Sequence, residues 1–225
     1  LGLGYKFRPL LAAARGYSTW QDVFSLEKFR RRFEAYLRGL RLGARALLIS
    51  AEELSGHLPG RESVADYRAA PVLALEIYEA LRAAFPQAEI SFVYTLRRPE
   101  TWWPSAYWEH VKSSRLTLEY ADFLARFGAM DLATEASNVQ LDCAVETLWL
   151  EDIASEEHGP AAPLLRRVGL SDERWAQLKP VAQKNRAPQS RPELIEQFLQ
   201  LNRSDLDQAA LTSAKKALLD AAEGT

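Results

Sequence analysis

The sequence predicts an α/β fold: a mostly parallel central sheet flanked by helices, followed by a helical C-terminal part. Three features predict it. Short apolar runs at residues 46–50, 88–96 and 144–150 read as strands. Segments with helical spacing of apolar side chains separate them, which is the pattern of strand–helix–strand units. Beyond residue 192 only helical patterns remain.

Taken in order, residues 8–16 read as a short helix ended by Gly16. From Ser25 to about Leu42, the residues Leu26, Phe29, Phe33, Tyr36, Leu37 and Leu40 fall at helical spacing, while Arg30, Arg31 and Arg32 mostly face water. Ser25 is placed to cap this helix and Gly43 to end it. The run at 46–50 is continuously apolar, as strands buried on both faces are. Ala51, Glu52, Glu53 and Leu54 follow, then a loop with Gly56, Pro59 and Gly60. Pro71 suits the first position of a helix that reaches Phe85, and Pro86 stops it. With the strand at 88–96, residues 46–96 make one strand–helix–strand unit, whose crossover implies parallel, right-handed pairing. Residues 99–113 and 117–127 read as helices, the second capped by Thr117 and closed by Gly128. The strand at 144–150 opens onto Glu151 and Asp152, and a helix at 161–168 ends before Gly169. Residues 179–192 are too polar and irregular for a regular element. Helices at 192–202 and 205–222 close the chain.

Composition bounds the function. The 225 residues suit a single domain spanning 1–225, and 48% hydrophobic with 26% charged residues is usual for a soluble globular protein. Lys and Arg number 28 against 30 Asp and Glu. A molecule this close to neutral does not bind nucleic acid through a general field, though a local basic pocket remains open to it. One cysteine, Cys143, excludes an internal disulfide framework and a cysteine-based zinc site, and it fits a reducing, cytoplasmic setting. His57, His110 and His158 lack metal-ligand spacing, so no metal is expected. No apolar run is long enough for a transmembrane segment, and the first residues lack signal-peptide organisation. The only methionine is Met130, so a chain truncated at its N-terminus is expected. Oligomeric state is not readable.

The chemistry concentrates around residues 88–110. A buried strand runs into Arg97 and Arg98 and then into an aromatic-rich helix that carries Ser105. The carboxyl end of a strand is where open α/β sheets bind ligands. Paired guanidiniums there suit phosphate or sulfate, or else ordinary surface ion pairs. A hydroxyl eight positions past Arg97 is placed to share one anion with it. Pro104 implies either a helix that begins near it or kinked first turns. Trp102, Trp103, Tyr107 and Trp108 are candidates to stack on a ligand, although aromatics at this spacing are more often core. His110 and Lys112 read as surface residues.

Leu96, Arg97, Arg98, Pro99, Trp102, Ser105, Tyr107, Trp108 and His110, in that spacing after a strand, resemble the 3′-phosphate-binding segment of sulfotransferases that use PAPS (3′-phosphoadenosine-5′-phosphosulfate). Residues 47–54 are similar to the strand, small residues and glutamate upstream of it in bacterial and carbohydrate sulfotransferases, and residues 85–90 to the lead into the arginine strand. The similarity covers roughly 45–127, with weaker echoes at 144–152 and 184–202. It implies a P-loop-kinase-like sulfotransferase fold, with Arg97 and Ser105 on the donor's 3′-phosphate. Lys184 and Arg186 stand where the family places a basic segment over that phosphate. It further implies a base for the acceptor's hydroxyl or amine: Glu52 first, then Glu53, with His57 a third candidate. Both acids equally suit the first turn of a helix. PAPS is the implied co-substrate, with no metal, and a carbohydrate, lipid or small molecule the implied acceptor. The family's N-terminal strand and its Lys-Ser/Thr-Gly-Thr-Thr-type loop, which grips the 5′-phosphosulfate, have no counterpart here. Two other readings stay open. One is a non-catalytic relative that keeps a phosphate pocket. The other is a nucleotide kinase with Glu151 and Asp152 toward magnesium.

Overall fold

The computed structural model describes residues 4–43, 46–61, 63–178 and 192–223. They form a mostly helical α/β protein with a small two-stranded parallel sheet and a helical C-terminal part. The chain divides into two compact units, residues 1–98 with 130–181 and residues 99–129 with 182–225.

The first unit opens with a helical hairpin, α1 (Gly4–Trp20) and α2 (Val23–Leu37). α1 does not stop at Gly16. Tyr17 and Ser18 just beyond it are buried, and packing offsets the roughly 1 kcal/mol that an internal glycine costs a helix. α2 is capped one turn earlier than Ser25: the Asp22 carboxylate accepts the Ser25 backbone N–H at 2.6 Å, and the same bond holds its pKa below the usual carboxylate range. Leu10, Tyr17, Phe29, Phe33, Tyr36 and Leu37 from this hairpin build the core, joined by Leu73 and Ile77 of α3 (Ala70–Ala84). α3 carries Pro71 in its first turn and ends before Pro86, as the sequence implied. Trp20, Val23 and Phe24 at the tip of the hairpin remain exposed.

The predicted strand at 46–50 is corrected. These residues form no ladder among the described residues, and they alternate between exposed and half-buried instead of being buried on both faces. Ile49 packs on the helical core while Leu48 is exposed. A continuous apolar run is ambiguous on this point, because one-sided packing satisfies it as well as two-sided burial does. The strand–helix–strand unit predicted over 46–96 therefore does not form. A single 3-10 turn, Glu52–Ser55, leads from this segment into a loop pinned on α1: the Ser18 hydroxyl accepts the His57 backbone N–H at 2.9 Å. Gly56 makes that approach possible. Its φ is +108°, and a Cβ there would meet Ser18 Cβ at 2.7 Å.

The sheet pairs β1 (Ser91–Leu96) with β2 (Ala144–Trp149) in parallel, from Ser91 opposite Ala144 to Leu96 opposite Trp149. These are the second and third strands read from the sequence, in the expected orientation. Short helices α6 (Leu132–Ser137), α7 (Leu150–Ile153), α8 (Ala162–Arg167) and α9 (Asp172–Trp175) complete the unit. Gly169, at φ +64°, follows α8 as anticipated.

The second unit contains α4 (Pro99–Ser113), α5 (Tyr120–Phe127), α10 (Pro192–Arg203) and α11 (Gln208–Glu223). α4 starts at Pro99 and runs through Pro104, which lacks the N–H to answer the Glu100 carbonyl. α5 begins after Glu119 rather than at Thr117. Trp102, Trp103, Tyr107 and Trp108 are all buried, and the rings of Trp103 and Tyr107 sit 5.9 and 5.3 Å from that of Phe123. His110 is fully buried, 5.9 Å from the same ring, which corrects its reading as a surface residue. It lies three and seven positions past Tyr107 and Trp103, on their face of α4. Lys112 pairs with Glu109 at 2.6 Å. Two buried polar groups tie the end of α4 down. Lys215 Nζ donates to the carbonyls of Val111, Lys112 and Ser114 at 2.8, 3.2 and 2.6 Å. Asn202 Nδ2 donates to those of Val111 and Leu116 at 3.0 and 2.7 Å. Cations and donors at a helix C-terminus answer carbonyls that have no intrahelical partner.

Candidate functional site

The parallel register brings the carboxyl ends of β1 and β2 side by side, so Arg97 and Arg98 leave one strand next to Leu150, Glu151 and Asp152 leaving the other. The two arginines then diverge. Arg98 turns to the acids: its backbone N–H lies 3.2 Å from both Glu151 carboxylate oxygens, and its Nη2 donates to Asp152 Oδ1 at 2.6 Å. That pair is about half exposed on each side, where ion pairs contribute little. The pairing also engages the two acids that a magnesium-dependent reading would need.

Arg97 follows Leu96, the last paired residue of β1, which is itself buried. Its Nε is buried and has no hydrogen-bond partner among the described residues. A buried donor left in that state costs about 1–3 kcal/mol, and native structures hold few of them. Among the described residues Arg61 shares this property, with a buried and unanswered Nε in the tight turn where Gly60 and Arg61 bond back to Val64. The sequence reading passed over Arg61. Its only signal is an arginine in a glycine-containing loop, which is too common to single out.

The other candidates fall in several places. Ser105 is half-buried in the second turn of α4, within the second unit, whereas Arg97 belongs to the first. Glu52 is exposed in the 3-10 turn after extended Ala51. Glu53 forms an ion pair with Arg15 of α1, with Nη1 to Oε1 at 3.2 Å. Neither acid ends a laddered strand, since 46–50 is not one. Burial, with the Glu52 carboxylate adding to it, drives the Tyr67 phenol far above its ordinary pKa. Burial also raises Tyr94 of β1 to about 12. His57 is half-buried and held at its backbone by Ser18. Lys184 and Arg186 lie outside the described residues. No group of three or more His, Cys, Asp or Glu among the described residues is arranged to hold a metal ion, and no described helix is long and apolar enough to cross a membrane.

No family model, no curated protein and no solved structure matches the chain.

Proposed function

We propose that the chain is a sulfotransferase that moves the sulfuryl group of PAPS to a hydroxyl or amine of a carbohydrate, lipid or small-molecule acceptor, on a P-loop-kinase-like sulfotransferase fold. One observation carries the reading: the buried Nε of Arg97, without a partner among the described residues, directly after a parallel strand. A guanidinium so placed suits a phosphate dianion, whose oxygens match its fork of donors. In this reading Arg97 answers the donor's 3′-phosphate. The resemblance assigns Ser105 to the same phosphate and a covering role to Lys184 and Arg186. Glu52, with Glu53 behind it, accepts the acceptor's proton. The acceptor's oxygen or nitrogen bonds to sulfur as the bond from sulfur to the donor's 5′-phosphate oxygen breaks. Such transfer relies on positioning and on charge stabilisation in line with the attacking atom.

The test is calorimetry of the intact chain with adenosine 3′,5′-bisphosphate, the product of the donor. Arg97→Ala is expected to weaken binding by about 1.5–3 kcal/mol, roughly ten- to 150-fold, and Ser105→Ala by about 0.5–1.5 kcal/mol. Affinity unchanged by Arg97→Ala removes the donor assignment.

A second reading, a binder of the same nucleotide without transfer, is favoured by the exposure of Glu52 and by the engagement of Glu53 with Arg15. A general base must be free to reach the acceptor's proton, and the Glu53 carboxylate is already engaged by Arg15. Assays with sulfur-labelled PAPS and mixed acceptors separate the two: bisphosphate binding with no labelled product identifies the binder.

A further inference from the structure

We propose that the groove between α4, α5 and α10 binds a small organic cation, an ammonium group carried on an apolar or aromatic body. The groove lies within the second unit and has a volume of about 900 Å³, the size of ordinary small-molecule sites. Its apolar floor is made by Tyr107 and Trp108 of α4 and Leu199 of α10, all buried, with half-buried Tyr120 beside them. The Tyr107 and Tyr120 rings are 5.1 Å apart, and the Tyr107 hydroxyl is fixed by donating to the Leu118 carbonyl at 3.0 Å.

The rim gives the groove its sign. Three carboxylates line it, Glu119, Glu193 and Glu196, and among the described residues no lysine or arginine does. Glu119 is answered by Arg203, whose Nη2 donates to it at 2.5 Å. Glu193 and Glu196 form no ion pair among the described residues; Glu196 accepts only the neutral Gln200 amide at 3.2 Å. Three positions apart on α10, the two acids share one face, where like charges repel. The field of Glu119, and more weakly that of Glu196, reaches the floor. Burial first, then Glu119 and more weakly Glu196, raise the Tyr107 phenol to about 12, with Arg203 opposing. A ligand whose apolar body covers the floor and whose ammonium meets Glu193 and Glu196 matches both surfaces at once. A neutral ligand brings Glu193 no counter-charge and leaves Glu196 with the attraction of Arg203 alone among the described residues, and an anion meets both acids directly.

The proposal does not rest on the donor reading. Bisphosphate binding and its dependence on Arg97 are measured separately, and their failure leaves the groove untouched. The test uses the intact chain and three probes of one shape: benzyltrimethylammonium, neutral benzyl alcohol and anionic benzenesulfonate, followed by ligand-observed NMR. Saturable binding of the cation at least tenfold tighter than the alcohol, with no binding of the sulfonate, is expected. The double variant Glu193→Gln with Glu196→Gln alters two exposed residues, and an unchanged circular dichroism spectrum checks its fold. It is expected to weaken the cation at least tenfold and leave the alcohol unchanged. Equal affinity for the three probes, no binding of any, or cation affinity unaffected by the double variant overturns the proposal.

Discussion

Lys215 of α11 and Arg97 after β1 both hold a cationic nitrogen away from water, one in each unit, and their surroundings are opposite. Lys215 Nζ meets three backbone carbonyls at the end of α4, and its ring neighbour Phe198 lies 5.9 Å away. Arg97 Nε meets no acceptor among the described residues. The first arrangement closes its own account of donors and acceptors, so it is architecture. The second leaves a donor open, which is why it is a candidate for a ligand and the first is not.

The contrast can be broken at several points. Lys215→Met keeps most of the side chain's apolar volume, leaves the Lys112 and Ser114 carbonyls at the end of α4 without their lysine donor, and leaves Val111 with Asn202 alone. A loss of about 3 kcal/mol in urea unfolding is expected; a loss below about 1 kcal/mol removes Lys215 from the framework. Its titration sharpens the point. Burial, with repulsion from Arg115, lowers the Lys215 pKa to about 8 from 10.5. Below pH 8 both folded and unfolded chains carry the charge, and the penalty of burying it is fully present. Between about 8 and 10.5 the unfolded chain holds more protons, so stability rises with pH. The buried phenols act in the other direction. Tyr94 and Tyr107, both raised to about 12, withdraw stability as pH climbs from 10 through 12. A wild-type stability curve that rises from pH 8 to about 10 and then falls is expected, and Lys215→Met is expected to abolish the rise and keep the fall.

Arg97→Met is the reverse case. Removing an unanswered buried donor is expected to leave stability within about 1 kcal/mol of wild type or slightly above it. A large loss of stability shows instead that Arg97 is structural. The smallest effect belongs to Arg98→Ala. Its pair with Asp152 is half exposed, and a change below about 1 kcal/mol in thermal unfolding is expected.

How far the sequence reached is clearest in the neighbouring arginines. That one strand would end at Leu96 and another open on Glu151 and Asp152, in a mostly parallel sheet, was legible in apolar runs and flanking polar residues; that these two strands pair with each other was not. Which arginine would be neutralised was not. The pair that settles it, Arg98 with Asp152, spans 54 positions of chain. The candidate bases show the same limit. Glu52 and Glu53 were legible as acids after an apolar run, but the Arg15 that engages Glu53 stands 38 positions away on α1. The groove on α4, α5 and α10 was invisible for the same reason, although its aromatic residues had been singled out.

By itself the sequence determined where β1, β2 and most of the longer helices form, because apolar spacing and the placement of Pro71, Pro86, Gly128 and Gly169 act on the nearest few residues of backbone. Tertiary structure alone decided that 46–50 packs on one side without a ladder, that His110 and Lys215 are buried, and that Arg98 is paired while Arg97 Nε meets no acceptor among the described residues. Those outcomes depend on which distant groups arrive beside a side chain and whether they offer it an acceptor, and no local pattern carries that information.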